Sequence, residues 1–286
     1  MQQVTVIKVG GAIVEDNDRL QQLLSDFSKI EGLKVLVHGG GRRATKVAAA
    51  LGIESKMVEG RRVTDADMLE VVTMVYGGLV NKNLVARLQA LGVNAIGLTG
   101  ADMDVIRSHK RPPVMVTLSD TASDASSDAA SNHKVQSSKF KVQSLVDYGF
   151  VGDVDKVNAD TLKLLLENGI VPVMAPLTHD GKGNILNTNA DTIAAETAKA
   201  LAKYFDVTLM YCFEKAGVLS NPDDDNSVIP VITHADYDSL TADGTISGGM
   251  KPKIQNAMAA VDAGVSRVII TKASAIDGKH GTVIKK

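Results

Sequence analysis

Apolar residues recur along the chain in two alternating rhythms. Short runs rich in branched side chains, at residues 4–9, 35–37, 93–98, 170–174, 206–211 and 267–271, read as buried strands, most of them ended by glycine or polar breakers. Between them lie stretches with helical spacing. Residues 19–30 place Leu20, Leu23, Leu24 and Phe27 on one face, and Ala44, Val47, Ala48 and Leu51 repeat that pattern after Gly41. A longer pattern covers 66–91, with Thr64 or Asp65 as its N-cap. It is apolar over much of its surface (Leu69, Val72, Val75, Leu79, Leu84, Val85, Leu88) and reads as core, with an even alternative that part of it faces a second subunit. Further helices are expected over 158–166, from the Asn187 region to about Tyr204, and from Gly248 to about Ala263. Helices alternating with wholly apolar strands imply an α/β fold with a mostly parallel sheet covered on both faces.

One stretch breaks the rhythm. Residues 119–138 are mostly Ser, Ala, Asp and Asn with no apolar period, and are expected to form an exposed, mobile insert or protruding arm. Lys-Val-Gln-Ser occurs at 134–137 and again at 141–144, too few copies for a repeat architecture.

Composition narrows the classes of function. A chain of 286 residues makes one large α/β domain or two smaller ones. With 33 acidic and 31 basic residues the net charge is −2, which favours neither a nucleic acid nor an anionic membrane surface. The aromatic content of 3%, with no Trp, argues against base-stacking platforms. Cys212 is a single cysteine, so no intrachain disulfide forms, which fits a reducing cytoplasm. No apolar run is long enough to span a bilayer, and no signal peptide is visible before the first strand.

The candidate chemistry lies in three glycine clusters, each beside basic residues: Gly10-Gly11 after Lys8, Gly39-Gly40-Gly41 before Arg42 and Arg43, and Gly248-Gly249 before Lys251 and Lys253. Each sits at a strand end or a helix start, where exposed N–H groups and a helix dipole favour an anion. Together they suggest a site for several negative charges, such as a polyphosphate. Lys8 reads either as an edge-strand lysine or as a cation delivered to the end of a central strand. Pro252 suits the first turn of a helix, which leaves Lys253 either near the same anion or as a solvated surface residue. The chain has no G-x-x-x-x-G-K-[ST] and no G-x-G-x-x-G after a strand, so neither a P-loop nor a dinucleotide fingerprint is present. The six histidines lack metal-ligand spacing, His38 reads as structural, and no protein-held metal is expected.

In order along the chain, Lys8-Val-Gly-Gly11, His38-Gly-Gly-Gly41, Arg62-Val-Thr64, Asn187-Thr-Asn-Ala-Asp191 and Gly248-Gly-Met-Lys-Pro-Lys253 closely resemble the motifs of the amino acid kinase family. The resemblance runs over nearly the whole length. It implies an open αβα sandwich, with an N-terminal lobe (1–178) for an acyl-amino acid and dimerisation and a C-terminal lobe (179–286) for nucleotide. It further implies phosphoryl transfer from ATP, with Mg²⁺ carried by the nucleotide, to the γ-carboxylate of N-acetylglutamate in arginine biosynthesis. N-succinylglutamate is the alternative acceptor, and a non-catalytic nucleotide or amino-acid sensor the alternative of another class. Aspartate, glutamate 5-, carbamate and uridylate kinases fit the Arg62 and Asn187 motifs less well.

By motif position, Lys8 and Lys253 would neutralise charge on the transferring phosphoryl group and Asp191 would hold both lysines. Gly40 and Gly41 would bind substrate through their backbone, Arg62 a substrate carboxylate, and Asn187 the amino-acid part. Gly10, Gly11 and Thr245, Ile246, Ser247, Gly248, Gly249 and Met250 would lie along the nucleotide. Taken alone, Asp191 also reads as a helix N-cap and Asn187 as a turn residue.

The chain departs from the family where an Asp-Val-x-Gly element is common: it has Cys212-Phe213-Glu214-Lys215-Ala216-Gly217. Some members inhibited by arginine carry an extra N-terminal helix that joins dimers into hexamers. This sequence opens at its first strand, so the expectation is a homodimer without arginine feedback by that route. Light scattering and an arginine titration check it; a hexamer, or strong inhibition by arginine, refutes it.

Overall fold

The computed structural model describes residues 1–118, 142–221, 223–247 and 250–286. The expected excursion at 119–138, the repeat at 134–137 and the Gly248-Gly249 pair therefore lie outside the described residues.

The apolar runs form a central sheet of eight strands: β1 (Gln3–Val9), β2 (Leu33–His38), β3 (Ala95–Leu98), β4 (Val171–Met174), β5 (Asp206–Phe213), β6 (Val231–Ile232), β7 (Arg267–Lys272) and β8 (Thr282–Ile284). Their order is β6-β8-β7-β5-β1-β2-β4-β3. From β7 to β3 every pairing is parallel, and β8 runs antiparallel to β7. β1 is central, with Lys8 opposite Tyr211 on one side and Val37 on the other, so the edge-strand reading of Lys8 is wrong.

Period-2 alternation sends successive side chains to opposite layers. Val4, Val6, Val35, Val37, Leu209 and Tyr211 pack toward α6 (Ala159–Glu167), α7 (Ala190–Leu201) and α9 (Met250–Asp262). Ile7, Val9, Leu36, Met210 and Cys212 pack on the other face, toward α2 (Asn17–Lys29), α3 (Gly41–Ala50), α4 (Ala66–Val72) and α5 (Asn81–Ala90). The short α1 (Gly11–Glu15) joins β1 to α2, and α8 (His234–Ala242) follows β6. The fold thus has the mostly parallel sheet covered on both faces that the sequence pattern implies, in the open αβα sandwich that the resemblance implies. Among the described residues, no helix is long and apolar enough to cross a membrane.

The predicted helix over 66–91 is interrupted. Asp65 caps it, accepting from the Met68 N–H at 2.9 Å, but Thr73–Val80 between α4 and α5 is a π-helix. The wider turn shifts which residues face inward: Val75, Tyr76 and Val80 are buried while Met74 and Leu79 are exposed. Leu79, which the apolar period allows as core or as part of a subunit face, is not core.

A second, smaller sheet joins Ile185–Asn187, Leu177–His179, Ile106–Lys110 and Gly152–Val157 in that order. The sequence pattern misses it, since these strands are short and carry Arg107, His109, Asp153, Asp155 and Lys156. Val114–Leu118 and Val142–Val146 pair as an antiparallel ribbon.

Two buried polar side chains tie strands to helices. Lys34 donates to the carbonyls of Phe27, Ser28 and Ile30 at 2.8–2.9 Å, a cation closing the C-terminal end of α2. His38, fully buried at the end of β2, contacts the Gly39 carbonyl through Nδ1 at 3.0 Å and the Asn81 side-chain amide through Nε2 at 3.1 Å. Asn81 also donates to the Val173 carbonyl at 2.9 Å, so Nε2 is the acceptor and Nδ1–H the donor. His38 is structural, as read from the sequence: it fixes the glycine turn against α5 and β4.

Burial pushes the His38 imidazole down from 6.5 to about 4, helped by Lys82 and opposed by the Gly39 carbonyl. The unfolded chain therefore takes up a proton that the folded chain refuses. The stability that the neutral ring contributes is present above pH 6.5 and is lost as pH falls toward about 4. Denaturant titrations across that window should show wild type losing on the order of 3 kcal/mol more than His38→Gln. Equal losses in the two proteins refute the assignment.

Candidate active site

Parallel strands deliver their C-terminal ends to one edge, and the helices that follow begin there. β1 runs into Gly10, β2 into Gly39 and β5 into Glu214, while α3, α7 and α9 all start at this edge. Alternation puts Lys8 on the face of Val4 and Val6, toward α7 and α9. Its ammonium lies 2.7 Å from Asp191 Oδ1, both side chains being largely buried. The contact is ionic, without hydrogen-bond alignment at that oxygen. Asp191 stands in the first turn of α7, but the cap is Asn189, whose side chain accepts from the Asp191 N–H at 2.7 Å. The capping role is thus filled by a neighbour and the Asp191 carboxylate is left to face Lys8. The Tyr211 hydroxyl donates to the Asp191 carbonyl at 3.3 Å.

Lys253 enters from the first turn of α9. Its ammonium lies 4.1 Å from the centroid of Phe213, and Lys8 lies over the same ring at 5.2 Å. Burial lowers the Lys253 pKa; Asp191 and Glu214 oppose that shift and Lys8 adds to it. The surface-lysine reading of Lys253 is excluded.

The first two glycine clusters touch. A Cβ on Gly39 would stand 3.1 Å from the Gly11 nitrogen, and one on Gly11 would stand 3.5 Å from the nitrogens of Gly40 and Gly41. A Cβ on Gly40 would meet the Tyr76 ring at 2.8 Å. Bare backbone at these positions lets the turns close on each other beside Lys8.

A cleft of about 230 Å³ opens beside them, lined by Lys8, Gly39 to Gly41, Arg61, Arg62, Tyr76, Asn187 and Asp191. Arg62 is buried, and its guanidinium donates to the Gly41 carbonyl at 3.0 Å, to Thr45 Oγ1 at 2.9 Å and to Ser55. Asn187 donates to Thr64 Oγ1 at 2.9 Å, and Thr64 donates on to the Arg62 carbonyl at 3.3 Å. The two residues expected on the acceptor side are therefore linked through Thr64.

The structure thus gathers Lys8, Asp191, Gly40, Gly41, Arg62 and Asn187 around one cleft, with Gly11 behind it and Lys253 adjoining through Phe213. The expected nucleotide stretch is less uniform. Ile246 is fully buried in the core, so only its backbone is offered to a ligand. The Thr245 N–H is taken by Asp243 at 2.9 Å and the Met250 N–H by the Ser247 carbonyl at 3.1 Å.

Two lining residues, Tyr76 and Arg61, and one residue beside the cleft, Phe213, escape a reading of the sequence. Tyr76 comes from the π-helix, and burial raises its pKa against the pull of Arg62. Arg61, half-buried, has its pKa lowered by burial and by Arg111. Phe213 was legible in principle, because it continues the alternation of Leu209 and Tyr211. Cys212 is buried, and burial pushes its thiol up to about 12, so it offers no nucleophile.

The contact between Gly40 and Tyr76 can be tested directly. Gly40→Ala should cost about 1–3 kcal/mol in denaturant unfolding through overpacking. In Gly40→Ala/Tyr76→Leu the cost should fall short of the sum of the single changes by at least ~0.5 kcal/mol. Additivity of the two would show that the ring does not press on this turn.

The sequence profile of the amino acid kinase family matches residues 3–272. Acetylglutamate kinase of Phocaeicola vulgatus is 63% identical over 285 residues, covering 100% of this chain and 99% of its own. Acetylglutamate kinase of Cytophaga hutchinsonii is 48% identical over 276 residues, covering 96% and 94%. Among solved structures, smu.665 from Streptococcus mutans superposes with a TM-score of 0.71 at 29% identity, covering 99% of this chain and 98% of that one. By sequence and by fold, the chain belongs to the amino acid kinase family.

Proposed function

We propose that the chain is an ATP-dependent kinase that phosphorylates the γ-carboxylate of N-acetylglutamate to an acyl phosphate, a step of arginine biosynthesis. The observation that carries this reading is the Lys8–Asp191 pair at the mouth of the cleft, with Lys253 on its far side and Arg62 and Asn187 on its near side. The names of the full-length relatives point the same way.

In the proposed reaction a γ-carboxylate oxygen attacks the γ-phosphorus of ATP. The new O–P bond forms as the bond to the bridging oxygen breaks, and the electron pair leaves with ADP. A carboxylate is already a nucleophile at neutral pH, so no general base is required. What the protein supplies is position and positive charge. Lys8 and Lys253 neutralise charge on the moving phosphoryl group, and Asp191 orients Lys8. Gly11, Gly40 and Gly41 offer backbone N–H groups. Arg62 takes a substrate carboxylate, which its planar fork suits. Asn187 holds the amino-acid part. Residues 1–178 serve mainly the acceptor, joined by Asn187 from the start of the C-terminal lobe, and the rest of 179–286 serves the nucleotide.

Asp191, the carboxylate of the cleft, is engaged by Lys8. Mg²⁺ is accordingly assigned to the nucleotide, where its phosphates and water are the ligands and charge neutralisation is what the ion supplies. The exposed Met74 and Leu79 on the π-helix support a homodimer through this face.

N-succinylglutamate is the second reading, because Arg61 adds another guanidinium to the cleft lining and so a partner for a second carboxylate. Hydroxylamine trapping of the acyl phosphate, run with ATP and N-acetylglutamate, N-succinylglutamate, glutamate and aspartate, decides between them. The expected result is turnover of an N-acylated glutamate and little with the free amino acids. Failure with every acceptor removes the kinase reading. Lys8→Ala and Lys253→Ala should each lower kcat by about 10²–10³-fold, with KM for the acceptor little changed. Near-normal turnover in either removes that lysine from the chemistry.

A further inference from the structure

We propose that Phe213 is a positioning residue of this site: the face of its ring holds the Lys253 ammonium, together with that of Lys8, where the phosphoryl group passes. The inference rests on the roles given above to the two lysines and adds a residue that no family motif supplies.

The geometry is specific. Lys253 lies 4.1 Å from the ring centroid and Lys8 lies 5.2 Å from it, both within the reach of a cation–π contact. The ring is itself held. Tyr211, two residues earlier on the same strand face, stacks on it with centroids 6.3 Å apart and planes 10° from parallel. Phe213 closes β5, opposite Lys272, so its backbone is fixed by the sheet. Two carboxylates act on Lys253, but Asp191 is in contact with Lys8, and Glu214 is exposed and lies 3.9 Å from Arg42. The ring supplies negative potential to Lys253 from its buried side, where neither carboxylate is free to hold it without a bound anion.

An acidic residue at position 213 would supply that potential, but its full charge would also repel an incoming phosphate. A ring quadrupole attracts an ammonium at short range and fades faster with distance. It can hold the lysine and still yield it to the phosphoryl group. A ring also excludes water, which strengthens the field of both lysines in the site. This stretch of the chain is where the Asp-Val-x-Gly element of the family gives way to Cys212-Phe213-Glu214-Lys215.

Fluorinated phenylalanines placed at position 213 test the idea without changing shape. Mono-, di- and trifluoro rings progressively cancel the quadrupole. Turnover of the N-acylglutamate should fall in step, reaching about tenfold for the trifluoro ring, while KM for the acceptor holds. Phe213→Tyr should keep most of the activity and Phe213→Leu should lose about tenfold. The same fluorination at Phe205, buried away from the lysines, should leave turnover flat. A flat series at position 213 overturns the proposal.

A readout without turnover separates the two readings. In the unliganded protein, NMR should show the Lys253 ε-methylene shifted upfield by the ring, and the shift should vanish in Phe213→Leu. If unsubstituted protein makes no acyl phosphate, the kinase reading fails and this shift still decides whether the ring holds the lysine. An unshifted Lys253 in wild type overturns the proposal.

Discussion

The contact between Lys8 and Asp191 is the constraint on which the rest of this site depends. It joins the end of the central strand to the first turn of α7, two elements far apart in the chain. For the two to meet, β1 must lie inside the sheet, Lys8 must fall on the face toward α7, and Asn189 must take the cap so that Asp191 is free to turn inward. Shifting β1 by one residue would send Lys8 to the opposite layer, beside Leu36, Met210 and Cys212, in the places now held by Ile7 and Val9. A largely buried ion pair is also a poor source of net stability, because two charges have lost water to form it. Its worth is geometric: it fixes a cation at the cleft, at a desolvation cost that the surrounding core offsets.

The glycine turns answer the same constraint from the other side. The turns beside the cation pack too tightly to admit a side chain on Gly39, against the Gly11 nitrogen, or on Gly40, against the Tyr76 ring. His38 keeps the second turn in position from behind, and it does so as a neutral ring, so it adds no charge to a neighbourhood already rich in lysine and arginine.

Most of the architecture was legible because a doubly covered parallel sheet needs strands that are apolar throughout, and those runs stand out against amphipathic helices. What escaped has physical reasons. The smaller sheet is built from short strands carrying exposed charges, which resemble loops in composition. The π-helix over Thr73–Val80 keeps an apolar sequence but alters its periodicity, so Leu79 points outward and Tyr76 reaches the cleft. In the site, residues on strand ends and helix starts could be placed from pattern and motif. Arg61 and Tyr76 could not, since each reaches the cleft through tertiary contacts that no local pattern encodes. Phe213 sat in plain alternation with Tyr211, yet a phenylalanine at a strand end reads as core until the lysines over it are seen.

The two sides of the cleft hold their cations differently, and the difference suits the proposed reaction. Arg62 is fastened at several donors to Gly41, Thr45 and Ser55 and linked through Thr64 to Asn187, a rigid planar group among rigid partners. Such a group fits a carboxylate that stays where it binds. Lys8 and Lys253 are point charges on flexible stems, each with one face against an aromatic ring. They can follow a phosphoryl group as it moves from one oxygen to another, because an ammonium keeps its interaction through small displacements that would break a bidentate fork. Lysine where the charge moves and arginine where it does not is the division that phosphoryl transfer to a fixed carboxylate asks for.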